Sequence, residues 1–291
     1  MPLIFERTFR IRYYECDAYS HVNHVNYVRY MQEAAFDASV AAGYSMDWYN
    51  ENGRYWIIRE TDINYLRPLV YGDTVIIKTW VEDFRRVRSR RAYEFRNADN
   101  DEIVATAVTD WVYLDMEAQR PVSVPADMQA IFFPDGPPTD VPPRQRFPKA
   151  PPPPPKAFKM RRRVEWGDID PAGHVNNAKY LTFLETAGVN AAEAFGWSMA
   201  RMADHGFGIV GRRYHIEYKQ QARMGDELEI TTYIAGAKRA TAVRHYLIKR
   251  VCDDSLVAQA YAVWVWVDLA TGRPIRIPAD FAASFAGHIV A

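Results

Sequence analysis

Residues 167–180 read Gly167-Asp168-Ile169-Asp170-Pro171-Ala172-Gly173-His174-Val175-Asn176-Asn177-Ala178-Lys179-Tyr180. A second version lies 153 positions earlier, as Tyr14-Glu15-Cys16-Asp17-Ala18-Tyr19-Ser20-His21-Val22-Asn23-His24-Val25-Asn26-Tyr27. Carried along the chain without a gap, the same offset sets Asp17 on Asp170 and Gly43 on Gly196. It also sets Ile63 and Tyr65 on Ile216 and Tyr218, Gly72-Asp73 on Gly225-Asp226, and Trp111 on Trp264. Pro125-Ala126-Asp127 falls on Pro278-Ala279-Asp280. One offset matching so many Gly, Trp, Pro and Asp positions marks a duplication. Two copies are too few for a solenoid, so the expectation is a fused pseudo-dimer within one chain, a monomer that can associate further.

Between the copies, Pro134 to Pro155 holds 11 of the 18 prolines. Proline fixes φ and lacks an N–H, so this stretch is neither helix nor central strand, but an extended, semi-rigid spacer. The expected organisation is a domain over 1–133, a proline-rich linker over 134–156 and a second domain over 157–291.

Each copy has the same internal order. A strand is expected over Arg7 to Tyr14, and again over Lys159 to Trp166. Asn23 to Ala42 then carries apolar residues at Val25, Val28, Met31, Ala34, Ala35 and Ala38, a helical period. Asn23 and Asn176 suit the N-cap, and Gly43 and Gly196 the C-terminal turn. Four strand-like runs follow, with short turns such as Cys252-Asp253-Asp254-Ser255 that imply antiparallel hairpins. The fold class is α+β, one long helix on an antiparallel sheet, twice over.

Composition narrows the function. Lys+Arg and Asp+Glu are both 36, and a neutral chain is a poor electrostatic partner for nucleic acid. No apolar run reaches the ~18 residues of a membrane span, and no secretory leader pattern opens the chain, so a cytoplasmic protein is expected. The 2 cysteines exclude a disulfide framework.

Three local patterns mislead. Gly206 to Gly211 matches GxGxxG but runs into a strand-like RRYHIEY, where a dinucleotide site needs a helix. Asp17, His21 and His24 suggest a metal triplet, yet the second copy replaces His24 with Asn177, so no metal and no cofactor is expected. Cys16 next to Asp17 is matched by Ile169, so a nucleophilic cysteine is disfavoured.

The Asp-loop-His-Val-Asn-Asn pattern, with Ile216-Glu217-Tyr218 to Gly225-Asp226 beyond it, resembles the 4-hydroxybenzoyl-CoA thioesterase-like branch of the hotdog superfamily. As a tandem it is also similar to the plant acyl-ACP thioesterases. The resemblance implies a hotdog fold, a sheet wrapped round a central helix, in both copies. It further implies hydrolysis of acyl-CoA or acyl carrier protein thioesters. The plant pattern has Asn at the place of Ala172 and an acid-cysteine pair at Gln221-Ala222, so this chain departs from it there.

The physical case stands beside the resemblance. A thioester has a good leaving group, so a base or nucleophile and an oxyanion site can suffice. Asp170, and Asp17 in the first copy, are candidates for the carboxylate, with His174 as general base or hydrogen bonder. The Asn177 N–H, at the start of the helix, would polarise the carbonyl. His21, Asn23, His24 and Asn176 form the expected substrate-binding surround. Arg88 and Arg90, within Arg85 to Arg91, are expected to grip carrier phosphates. Two other readings stay open: an enoyl-thioester hydratase on the same scaffold, and a non-catalytic acyl-thioester binding module.

Overall fold

The computed structural model describes residues 1–141, 143–285 and 289–290; Pro142 of the linker lies outside them. The chain divides into two compact units, Met1–Arg146 and Phe147–Ala291.

In the first unit, β1 (Ile4–Arg10), β2 (Arg54–Tyr65), β3 (Thr74–Arg85), β4 (Arg88–Asn97) and β5 (Ile103–Asp115) form an antiparallel sheet in the order β1-β3-β4-β5-β2. In β3 burial alternates residue by residue, with Val75, Ile77, Thr79 and Val81 inward, as a half-buried strand requires. The long helix α1 (His24–Ala41) packs on β1 and β3 and buries Tyr27, Val28, Tyr30, Met31, Ala34 and Ala38. Asn23 caps it by accepting the Val25 N–H at 3.0 Å. Gly43, with φ of +88°, turns the chain away after it. Two short helices, α2 (Met46–Glu51) and α3 (Ala126–Phe132), complete the unit.

The second unit repeats this plan with β6 (Phe158–Arg163), α4 (Asn177–Ala194), α5 (Met199–Asp204), β7 (Phe207–Tyr218), β8 (Glu227–Ala237), β9 (Thr241–Arg250), β10 (Leu256–Asp268) and α6 (Ala279–Phe285). The antiparallel order is β6-β8-β9-β10-β7, and Ile289–Val290 (β11) adds in parallel to β8. Among the described residues, no helix is long and apolar enough to cross a membrane.

Two features depart from the expected pattern. The first strand of each unit stops short, at Arg10 and Arg163, and a single 3-10 turn follows at Tyr13–Glu15 and Trp166–Asp168. The cause is a buried acid: Glu15 accepts the Arg12 N–H at 2.7 Å, and Asp168 the Glu165 N–H at 3.1 Å. The short helices α2 and α5 escaped the periodicity reading because one and a half turns show too little period; Ser45 and Ser198 cap them.

The described residues of the proline-rich segment form no helix or strand, and several of them are strapped down. Within the first unit, Arg144 pairs with Asp83 and, at 2.7 Å, with Asp110. Within the second, Phe147 packs edge-on against His215 and Tyr261, and the Tyr233 hydroxyl donates to the Pro151 carbonyl at 2.5 Å.

Candidate active site

The loop entering α4 is built by short-range hydrogen bonds. The Asp170 N–H donates to the His174 carbonyl, and the Gly173 N–H returns to the Asp170 carbonyl at 2.9 Å. Gly173 turns the corner at φ of +78°, a conformation open to glycine at little cost. Outside the loop, the Val175 N–H donates to the Ala222 carbonyl, and the Asn176 N–H to the Asp168 carbonyl, both at 2.9 Å. Asp168 is itself anchored by Arg162 at 2.7 Å and Lys179 at 3.7 Å. The loop is therefore pinned at both ends before any functional side chain is placed.

The Asp170 carboxylate is held from two sides. Oδ1 accepts the Ala172 N–H at 3.0 Å, and Oδ2 accepts Asn176 Nδ2 at 3.3 Å. Asn176 does double duty, because its Oδ1 caps α4 by accepting the Ala178 N–H at 2.9 Å. His174 Nδ1 lies 3.9 Å from Asp170 Oδ1, beyond hydrogen-bond range, and 3.5 Å from its neighbour's carbonyl at Val175. The next residue, Asn177, is the first of the helix. Among the described residues no acceptor meets its N–H, and its Nδ2 is buried without a partner. The Tyr218 hydroxyl braces the same residue by donating to its carbonyl at 3.1 Å. A carboxylate, an imidazole and unpartnered donors at a helix N-terminus thus converge on eight consecutive residues.

The first unit has the same frame with different contents. Asp17 Oδ1 accepts the Tyr19 N–H at 2.8 Å and the His21 N–H at 3.3 Å. Ser20, rather than glycine, takes the left-handed turn at φ of +62°, which costs strain in a residue with a Cβ. His24 stands where Asn177 stands in the second unit, and its ring packs edge-on against Tyr65 with centroids 4.4 Å apart.

The basic run divides by position along the hairpin. Arg85, Arg86 and Arg88 are exposed around the β3–β4 turn. Arg90 turns inward to Glu82 at 3.0 Å, with both side chains mostly covered, so its charge is already answered. Arg91 is buried outright. Sequence reasoning missed Asp168 and Glu15 as buried anchors. Their signal was an acid repeated at the same offset, two residues before the aspartate of each loop. Among the described residues no group of three or more His, Cys, Asp or Glu side chains is placed to hold a metal.

Residues 164–285 match the family described as the thioesterase-like superfamily, and residues 2–132 match the acyl-ACP thioesterase N-terminal domain. Each half of the chain thus matches a thioesterase family model, and the fold is a tandem of two hotdog units. A chloroplastic palmitoyl-acyl carrier protein thioesterase of Cuphea hookeriana is 25% identical over 191 residues, 62% of this chain and 46% of that protein. The match thus spans about half the length of that relative. The long-chain acyl-CoA thioesterase FadM of Escherichia coli is 28% identical over 40% of this chain and 89% of its own. The structure of a 12:0-ACP thioesterase from Umbellularia californica superposes with a TM-score of 0.71 at 20% identity. That superposition covers 90% of this chain and 96% of the other, a likeness of fold.

Proposed function

We propose that the protein hydrolyses acyl thioesters, carried on coenzyme A or on an acyl carrier protein, at the Asp170 loop of the second unit. The observation that carries this reading is the oriented Asp170 carboxylate beside the unpartnered donors of Asn177. Asp170 acts as general base: it takes a proton from water, and the hydroxide oxygen adds to the thioester carbonyl carbon. The negative charge moves to the carbonyl oxygen, where the α4 N-terminus and the Asn177 N–H stabilise it. The carbon–sulfur bond then breaks, the thiolate leaves, and it recovers the proton from Asp170. His174 lines the approach and hydrogen-bonds the incoming water or carbonyl.

The similarity to acyl carrier protein and acyl-CoA thioesterases supports both carriers. Thiol release from dodecanoyl-CoA and from dodecanoyl carrier protein, followed with a thiol-reactive dye, tests the activity. A purified, folded protein that releases no thiol from either across a range of chain lengths would overturn it. Hydrolysis in ¹⁸O-water under single turnover separates the two chemical routes. Label is expected only in the acid product, whereas label in Asp170 would mean that the carboxylate attacks directly.

The exposed arginines at the β3–β4 turn supply the expected carrier contact. Arg88→Glu is expected to raise KM for an acyl-CoA at least about threefold and to leave a short acyl-cysteamine thioester, which lacks the nucleotide, unchanged. Equal changes for the two substrates would remove Arg88 from carrier binding. Arg90→Glu, in contrast, would set a second carboxylate beside Glu82 and is expected to lower Tm.

A further inference from the structure

Among the described residues Trp166 is the one exposed tryptophan, at 79%, and it stands four residues before Asp170. Four residues of chain span at most about 14 Å, so it lies beside the candidate site. Met224, 60% exposed, belongs to the turn between β7 and β8, and two backbone hydrogen bonds fix where that turn sits. The Gly225 N–H donates to the Val164 carbonyl at 3.0 Å, just ahead of Trp166, and the Ala222 carbonyl accepts the Val175 N–H of the Asp170 loop at 2.9 Å. The turn is also braced from within. Asp226 Oδ2 accepts the Arg223 N–H at 2.9 Å, and Arg250 Nη2 donates to the Gln221 carbonyl at 2.6 Å.

Two exposed guanidiniums flank the same turn. Arg163 Nη2 stands 3.9 Å from where a Cβ on Gly225 would be, and Arg223 is part of the turn itself. Their neighbours Arg161 and Arg250 are answered by Glu229 at 3.5 Å and Asp226 at 3.0 Å, but among the described residues no carboxylate pairs with Arg163 or Arg223. Glu165, the exposed acid nearby, is turned back to accept the Asp168 N–H. The first unit has exposed Tyr13, Tyr71 and Arg10 at the places of Trp166, Met224 and Arg163, and Val70 at that of Arg223. There the Tyr13 and Tyr71 rings close on each other edge-on, with centroids 5.9 Å apart, whereas the Trp166 indole has no ring partner among the described residues. The second unit therefore differs from its sibling by a free indole face and an added cation.

Tryptophan, methionine and arginine are the residue types that protein interfaces concentrate, and tryptophan and arginine supply their hot spots. A small ligand needs a concavity that covers most of its surface, whereas these side chains project from two surface turns. Unanswered guanidiniums select an acidic partner. We propose that Trp166, Met224, Arg163 and Arg223 form the docking surface for an acidic protein that presents the acyl group as a thioester on a flexible arm, an acyl carrier protein. This rests on the thioester hydrolysis proposed above and names where the second unit receives the protein-borne substrate. Coenzyme A has no protein body to seat there.

Kinetics of the full chain with one acyl group on two carriers test this. In the double variant Trp166→Ala, Arg223→Glu, KM for dodecanoyl carrier protein is expected to rise at least about tenfold, while kcat and the KM for dodecanoyl-CoA each change less than about twofold. Both side chains are exposed, so Tm is expected to hold. Sodium chloride is expected to raise the carrier-protein KM of the wild type, and to raise it less steeply in Arg223→Glu. An equal rise for both substrates, an unmoved carrier-protein KM, or turnover of the coenzyme A thioester alone would overturn the docking surface. Trp166-dependent binding to phosphatidylglycerol vesicles, with the carrier-protein KM unmoved, would give the surface to lipid instead. Calorimetric titration with holo carrier protein, which has a free thiol and no thioester to cleave, separates docking from chemistry. Binding by the wild type that the double variant weakens at least about tenfold, in a protein that turns over no thioester, would keep the docking surface and remove only the proposed activity. Turnover of both thioesters with no difference between wild type and variant would do the reverse.

Discussion

Asp170→Asn is expected to lower kcat at least about 10²-fold, the lower end of what a positioned acid–base group contributes. The substitution keeps the size of the side chain, and its Oδ1 can still accept the Ala172 N–H, while its Nδ2 would face the Asn176 amide donor. It removes the charge that draws a proton from water. Asp17→Asn is expected to cost less than about tenfold. In the first unit the carboxylate oxygen is committed to the Tyr19 and His21 N–H groups, the turn is strained at Ser20, and His24 packs on Tyr65 at the position where the second unit has Asn177, whose Nδ2 lacks a partner among the described residues. Thermal melts of both variants separate lost chemistry from lost folding. A dead Asp17→Asn beside an active Asp170→Asn would move the working site to the first unit. Equal partial losses would mean that both loops work.

Arg144→Met is expected to lower the melting temperature of the first unit by about 10 °C at neutral pH. Removing one partner of a buried ion pair costs about 3–5 kcal/mol, and each kcal/mol moves Tm by about 2–4 °C in a protein of this size. The Arg144 side chain is 12% exposed and joins Asp83 and Asp110, which are equally covered. Burial already holds the Asp110 and Glu82 carboxyls above their usual range, and Arg144 opposes that shift in both. Without Arg144 the folded state binds protons still more tightly relative to the unfolded chain, so stability falls as pH rises through this region. The deficit of the variant is therefore expected to be smaller at pH 5 than at pH 8. A deficit below 2 °C, or one that is flat with pH, would show that the pair contributes little.

Much of the site is legible in the sequence because it is local. Asp170, His174, Asn176 and Asn177 lie within eight residues, and a helix N-cap and an Asp-initiated turn both announce themselves by residue type. The helix and the hairpins followed from periodicity. What escaped depended on distant partners. Arg144 meets Asp83 across 61 residues, and composition alone made its surroundings a spacer. Arg90 and Arg91 sat in a run that looked uniformly basic, whereas Arg88 is exposed at the turn, Arg90 farther along the same face meets Glu82, and Arg91 on the opposite face is buried. Charge density can be read from a sequence, but which charges are already answered cannot. The shortened first strands had a cause that residue type hints at only weakly, an acid whose side chain closes on the backbone three residues earlier.

The constant offset of 153 also makes each half a library for the other. For any position in one unit, its sibling displays a residue that the same topology has already accepted, in the same strand and the same register. Thr for Ala262, Ala for Gly188 and His for Asn177 are transplants between siblings, and so are their reverses. Exchanging loops or pockets wholesale between the halves would ask what each set of side chains does with the backbone plan held fixed. A chain that carries its own paralogue thus supplies its own matched controls.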